Sequence, residues 1–209
     1  MTKAIRKERE REIRSNDIIA TAEKLFFTEG YDNVAMSDIA RETEMARGTL
    51  YKYFKNKDDI YAAIAIRASK IISEMFKHID QKNQTGIEKI KTICITYYEF
   101  YKKHRGYYEA YYHSGMFENK ESPNLENLRK IRINSFQVVI DALNEGIKDG
   151  SIRKEVDPAP TALIMLCMSN TVNNLVPVTK MYMENYEMTQ DVLFENTLDL
   201  VMRSIERIK

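Results

Sequence analysis

The sequence is poor in the residues that end helices. Its 209 residues include only 7 Gly and 4 Pro, both disfavoured inside helices. No segment alternates apolar and polar residues with period two over a useful length. An all-α chain is the expectation. Tryptophan is absent, and cysteine occurs only as Cys94 and Cys167, without CxxC spacing. In a reducing compartment these read as buried structural thiols rather than a disulfide or metal site. No apolar run approaches the roughly 20 residues that span a bilayer. The N-terminus, MTKAIRKERERE, lacks the apolar core of a signal peptide, so a cytoplasmic location is expected. His78, His104 and His113 have no metal-ligand spacing. There is no nucleophile elbow, Gly-rich phosphate loop or paired-carboxylate motif. Nothing marks an enzyme, a metal or a cofactor. The net charge is only +1, but local clustering rather than the sum decides nucleic-acid binding.

What is present is ordinary in bulk, with 44% apolar and 30% charged residues, and sufficient for one sizeable core or two modest ones. Residues 1–14 are dense in both charge signs, either a frayed helical extension or a disordered arm. Ile18, Ile19, Ala22, Leu25 and Phe26 then recur at helical spacing, and Gly30 stands where a left-handed cap belongs. Short helices are expected at about Ser37–Thr43 and Arg47–Phe54, joined by a tight turn, which is a helix-turn-helix pattern. Long helices follow at about 57–80, 87–103, 105–117, 124–148, 159–185 and 189–208. Gly86, Gly106, Pro123 and the GIKDGSIRKEVDPAP stretch mark the breaks.

The segment ARGTLYKYFKNKDD (46–59) places Arg47, Lys52, Lys55 and Lys57 before any acid. On a helical wheel Leu50 and Phe54 coincide and face the core. Gly48, Thr49 and Lys52 lie opposite. Arg47 and Tyr51 occupy one flank and Tyr53 the other. A helix entering a major groove needs a small, polar first turn near base edges and cations or hydroxyls for phosphate. Lys55 and Lys57 follow at the next helix start, where backbone N–H groups also attract anions. The plainer reading is a solvated charged face with two amphipathic tyrosines.

Residues 18–61 resemble the DNA-binding domain of the tetracycline-repressor (TetR) family of transcription regulators. The resemblance is carried by LFFTEGY (25–31), DIA (38–40) and RGTLYKYFKNKDDIY (47–61). It implies that Arg47, Gly48, Thr49 and Lys52 approach base edges or nearby phosphates. It implies that Tyr51, Tyr53 and Lys57 grip phosphate, and that Ser37 adds a backbone or base contact. Leu50, Phe54, Ile39, Ala40 and Phe26 would be core. Three positions depart from the family pattern. Ala35 and Ala46 stand where capping Ser or Thr is frequent, each missing cap being worth about 1 kcal/mol. Glu44 takes a turn position usually held by Gly, at a cost on the order of 1 kcal/mol if φ is positive. Arg41 and Arg47 are placed to offset its charge.

The remaining chain matches in texture, through long helices and the break at 146–158. Specific reading of DNA needs two heads on two half-sites. The resemblance implies a homodimer formed by helices 124–148 and 159–185 as an intermolecular four-helix bundle, on stripes of Leu128, Ile131, Ser135, Val138 and Ala142, and of Ala162, Met165, Leu166, Ser169 and Val172. The alternative is that both helices simply build a monomer core. TYYEFYKKHRGYYEAYYH (96–113) is unusually rich in tyrosine. Tyr97, Tyr101, Tyr108, Tyr111 and Tyr112 are core and surface packing, or they line a ligand pocket with Met165, Met168, Asn170, Asn173 and Asn174 opposite. Such rings suit a cationic or aromatic ligand. Pro177 predicts a kink near Asn173.

The sequence thus reads as an all-α protein: a charged arm (1–14), an N-terminal three-helix helix-turn-helix DNA-binding domain (15–58) and a larger C-terminal helical ligand-binding and dimerisation domain (59–209). Its expected function is a ligand-responsive regulator, a repressor binding a palindromic operator as a homodimer and released by a small-molecule effector. The alternative is a helical small-molecule or partner-binding protein that has lost specific DNA reading.

Overall fold

Helix-forming residues with few breakers yield helix almost throughout. The structure, a computed structural model, describes residues 3–76, 84–117 and 121–207. Its elements are α1 (Lys3–Glu29), α2 (Met36–Glu42), α3 (Arg47–Leu50), α4 (Lys57–Phe76), α5 (Gly86–Lys103), α6 (Arg105–His113), a 3-10 turn (Ser114–Phe117), α7 (Pro123–Asp149), α8 (Pro158–Asn173), α9 (Pro177–Asn185) and α10 (Gln190–Ile205). No strand occurs among the described residues, apart from a single bridge between Ile152 and Glu206. His78 and the expected end of the 57–80 helix lie outside the described residues.

The chain forms two compact units, Met1–Ile71 with His104–Ile131, and Ile72–Lys103 with Arg132–Lys209. In the first, Ile18, Ala22, Phe26, Val34, Ile39, Ala40, Leu50, Phe54, Ile60 and Ile64 form one buried cluster with Ala110 of α6. The described part of the N-terminal arm is helical, as the opening turns of α1. Arg, Lys and Glu are good helix formers, and an Arg6–Glu10 pair at 3.0 Å spans one turn. Gly30 ends α1 at φ +84, its N–H bonded to the Phe26 carbonyl at 3.1 Å. Gly106 is no break. It sits in the first turn of α6, where a Cβ would lie 2.6 Å from the Phe27 ring. Arg67 of α4 ties back to α1, pairing with Glu23 at 3.0 Å and donating to the Asn16 side chain at 2.9 Å.

In the second unit Ile90, Ala142, Leu143, Ile152, Val156, Ala162, Met165 and Ile205 form the core. Gly86, expected in a break, opens α5 against α7, where a Cβ would fall 2.0 Å from the Gly146 nitrogen. Its N–H donates to Asp149 at 2.7 Å. Burial raises the Asp149 pKa, but bonds from Ser151 and Gly86 outweigh it and hold the carboxyl below its ordinary value. The expected break after α7 is a turn with Gly150 at φ +79.

Two further expectations are corrected. The helix expected over 159–185 is two helices bent by 73°. Val176 is extended (φ −74, ψ 157), and Pro177 begins a new helix, because proline lacks the N–H that would continue α8 but suits a first turn. Cys167 is exposed rather than buried. Cys94 is shielded, and burial pushes its thiol up to about 12.

Candidate nucleic-acid interface

Ala35 offers α2 no side-chain cap. Asp38, three residues on, partly compensates by accepting the Ala35 N–H at 2.9 Å. Arg41 pairs with that carboxylate at 3.0 Å, so it is committed there rather than to Glu44. The Ala35 N–H, against some desolvation and with help from Arg41, holds Asp38 below its ordinary 3.8. A depressed folded pKa means that the stabilisation is present above the unfolded value and is lost as pH falls through the folded one. Asp38→Ala is therefore expected to flatten the acid side of the pH–stability profile below about pH 4. Denaturant melts at stepped pH check this. A variant with the wild-type acid slope would contradict it.

The turn after α2 explains how Glu44 is accommodated. Its φ is +53, in the left-handed region. The Glu44 N–H bonds to the Arg41 carbonyl at 3.1 Å and the Met45 N–H to Ala40 at 2.9 Å. This pair is a Schellman motif, which normally places Gly at that residue. It aims the chain directly into α3. Only Arg47–Leu50 is α-helical. The expected helix to Phe54 continues as hydrogen-bonded turns, with Tyr53 and Phe54 both bonded to the Leu50 carbonyl at 3.0 and 3.1 Å.

Leu50 and Phe54 are buried at 0% and 3% exposure and pin this segment to the core. The opposite side is open. Arg47, Gly48, Tyr51 and Lys52 are exposed, while Ser37, Thr49 and Tyr53 are half-buried. A Cβ built on Gly48 meets nothing within 4 Å, so no packing inside the protein requires a glycine there. Two cations behave differently from Lys52. The Lys57 ammonium donates to the Tyr31 carbonyl at 2.8 Å and lies 4.1 Å from the centre of the Tyr31 ring. Lys55 reaches the Glu121 carbonyl at 3.1 Å.

Four residues that support the site escaped the sequence reading. Asn56 Oδ1 accepts the Asp59 N–H at 2.9 Å, and the Asp59 carboxylate accepts the Lys55 N–H at 3.1 Å. Together they cap α4 just behind the reading segment. The N-x-x-D spacing before an apolar run was the signal. The Tyr31 hydroxyl donates to Asp58, and burial and that carboxylate push the phenol pKa well up. No local signal marks that contact.

The tyrosine-rich stretch is divided between the units. Tyr108 is fully buried in the first unit, stacked at 6.1 Å on Tyr112, which is itself 37% exposed. Tyr111 is half-buried there. In the second unit the Tyr97 hydroxyl reaches Asn170 Oδ1 at 3.5 Å, and Tyr101 bonds Gln190 at 3.1 Å. Met165 belongs to the apolar core, Met168 is half-buried and Asn173 is 2% exposed.

A short helix, a Schellman turn and a second helix with a polar outer face define a helix-turn-helix DNA-binding domain. Residues 18–64 match the family model of the bacterial regulatory proteins of the tetR family. Over 194 residues, 90% of this chain and 93% of the other, the protein is 26% identical to the fatty acid metabolism regulator protein of Bacillus subtilis. It is also 26% identical to the uncharacterized HTH-type transcriptional regulator YhgD of the same organism, over 71% of this chain and 76% of that one. The fold matches a crystal structure of a tetR-family regulatory protein from Rhodococcus RHA1 with a TM-score of 0.70, 15% identity and coverage of 94% and 98%. Residues 18–64 are thus a DNA-binding domain of the tetR family, and along most of its length the chain is similar to transcriptional regulators.

Proposed function

We propose that the protein is a repressor that binds a palindromic operator as a homodimer and is released by a small acyl-bearing effector. The observation that carries the DNA reading is the open face of Arg47, Gly48, Tyr51 and Lys52 on a segment pinned by buried Leu50 and Phe54. Arg47, Gly48, Thr49 and Lys52 approach bases, Tyr51 and Tyr53 hold phosphate, and Ser37 adds a contact from α2. Lys57 acts chiefly by fixing Tyr31 and the start of α4. In this reading residues 15–58 read DNA and 59–209 sense the effector and dimerise. The site of action is the cytoplasm. Among the described residues no single helix is long and apolar enough to cross a membrane.

The homodimer is favoured by apolar surface on the second unit. Leu163 and Ile164 of α8, Val178 and Met181 of α9 and Leu200 of α10 are all more than half exposed, and α9 has no buried residue. Scattered apolar residues are normal on a surface, but a run of them on consecutive helices marks an interface. We therefore place the interface on α8, α9 and α10, with Ile133 and Val138 of α7 at its margin. Ile164→Asp is expected to convert the dimer to monomer in sedimentation at micromolar protein. Operator binding should fall about 100-fold or more, since each half-site then binds alone. An unchanged sedimentation coefficient would exclude this face.

The acyl effector replaces the cationic or aromatic ligand that the tyrosines suggested. Its support is the likeness, along nearly the whole chain, to a regulator of fatty acid metabolism. Release requires the effector to bind the DNA-incompetent state more tightly, and DNA must then weaken effector binding by the same factor. Titrating dodecanoyl-CoA into the protein–operator complex tests this. Displacement, with reciprocal weakening of dodecanoyl-CoA binding by operator, is the expected result. Indifference of each ligand to the other would reject it.

A further inference from the structure

Helix α8 carries one buried polar group that the fold does not use. Its buried positions are Ala162, Met165, Val172 and Asn173, and the first two belong to the apolar core with Ile90, Leu143 and Ile205. Asn173 is 2% exposed, yet its Nδ2 has no hydrogen-bond partner among the described residues. The polar groups around it are engaged. Gln190 Nε2 donates to the Val172 carbonyl at 2.7 Å and to the Tyr101 hydroxyl at 2.9 Å. Asn174 Nδ2 donates to the Asn170 carbonyl at 2.9 Å. Tyr98 and Lys102 share Asp191 Oδ1 at 2.8 and 2.9 Å. Polar side chains of α5, α8 and α10 are thus tied to one another, while among the described residues the buried Asn173 amide donor is left over.

A buried N–H without an acceptor is costly, and unpaired donors are rare for that reason. Leucine, with the same branching, would remove the cost and continue the apolar stripe. An amide NH2 donates only, so the missing partner is an oxygen acceptor. We infer that Asn173 anchors the effector, its Nδ2 donating to the acyl carbonyl oxygen of a ligand whose remaining body is apolar. This inference rests on the acyl effector proposed above. A thioester and a free acid both supply that oxygen. The hydrogen bond sets specificity for the carbonyl, because a ligand lacking it leaves the donor unpaired.

Calorimetric titration of the full-length protein with dodecanoyl-CoA, dodecanoate and the carbonyl-free thioether S-dodecyl-CoA tests the anchor in wild type and Asn173→Leu. The wild type should bind the acyl probe of the correct source more tightly than the thioether. Asn173→Leu should weaken that acyl probe on the order of ten-fold, as expected for one hydrogen bond. Thioether affinity should be unchanged, and the unliganded variant should melt no lower than wild type. If the leucine variant does not fold, Asn173→Ala is judged by the ratio of acyl to thioether affinity, which should collapse towards one. An acyl affinity that ignores the substitution overturns the anchor alone. Equal weakening of all probes with a lower melting temperature also overturns it, because the amide is then structural. A wild type that binds neither acyl probe removes the acyl effector and the anchor with it.

Discussion

Alanine at Gly86 is expected to destabilise the protein by about 3 kcal/mol, lowering the melting temperature by roughly 6–12 °C for a chain of this size. The added Cβ would lie 2.0 Å from the Gly146 nitrogen, 2.2 Å from its Cα and 2.7 Å from the Ala142 carbonyl oxygen. All three are backbone atoms, so no side chain can rotate away, and α5 must shift off α7. That shift also pulls the Gly86 N–H from Asp149, now 2.7 Å away. Helix propensity favours alanine by up to about 1 kcal/mol, which is too little to offset the clash. Thermal melts followed by circular dichroism decide the point. A melting temperature within about 2 °C of wild type would mean that the helices do not approach this closely.

The same substitution at Gly48 is expected to have effects of opposite sign on stability and function. Nothing lies within 4 Å of a Cβ there, so alanine should be neutral or stabilise by up to about 1 kcal/mol. Operator affinity should nevertheless fall about ten-fold or more, because the methyl group stands where the first turn of α3 meets the base edges. Lys52→Ala should instead weaken binding to all sequences and reduce the salt slope by about 1. Lys57→Ala should lower stability through loss of the Tyr31 contacts and leave the salt slope unchanged. Binding isotherms at several salt concentrations, paired with melts, separate the three. A Gly48→Ala protein with wild-type operator affinity would show that the first turn does not contact bases.

The parts legible in the sequence were those that depend on local chemistry. Ile18, Ala22 and Phe26 share one face whatever surrounds them, and Gly30 stops the helix through its own φ of +84. The positive φ of Glu44 was readable from its place in the turn, because the Schellman geometry demands it. Pro177 announced a bend but not that α8 ends at Asn173 and α9 starts afresh. Gly86 and Gly106 looked like breaks because a glycine admits two explanations, conformational freedom and close approach. Only the packing of α5 on α7 and of α6 on Phe27 chooses between them. Lys57 shows the same limit within the site. Its charge and spacing match a phosphate contact, but whether its ammonium is free depends on Tyr31, 26 residues away. Cys167 became exposed because its helix presents an uncovered face. The orphan amide of Asn173 was invisible in sequence, where an asparagine on an apolar helix gives no account of its partners.

The most direct test of the central claim is a genomic-fragment selection with purified protein at moderate salt, followed by titration of the recovered DNA with wild type and Tyr51→Ala. Tyr51 is 53% exposed and lies outside the buried cluster of its unit, so its loss should spare the fold. A regulator reading DNA through α3 enriches a palindrome whose binding collapses in the variant while its melting temperature holds. No enriched sequence, with weak binding to bulk DNA that is indifferent to Tyr51, would contradict the account.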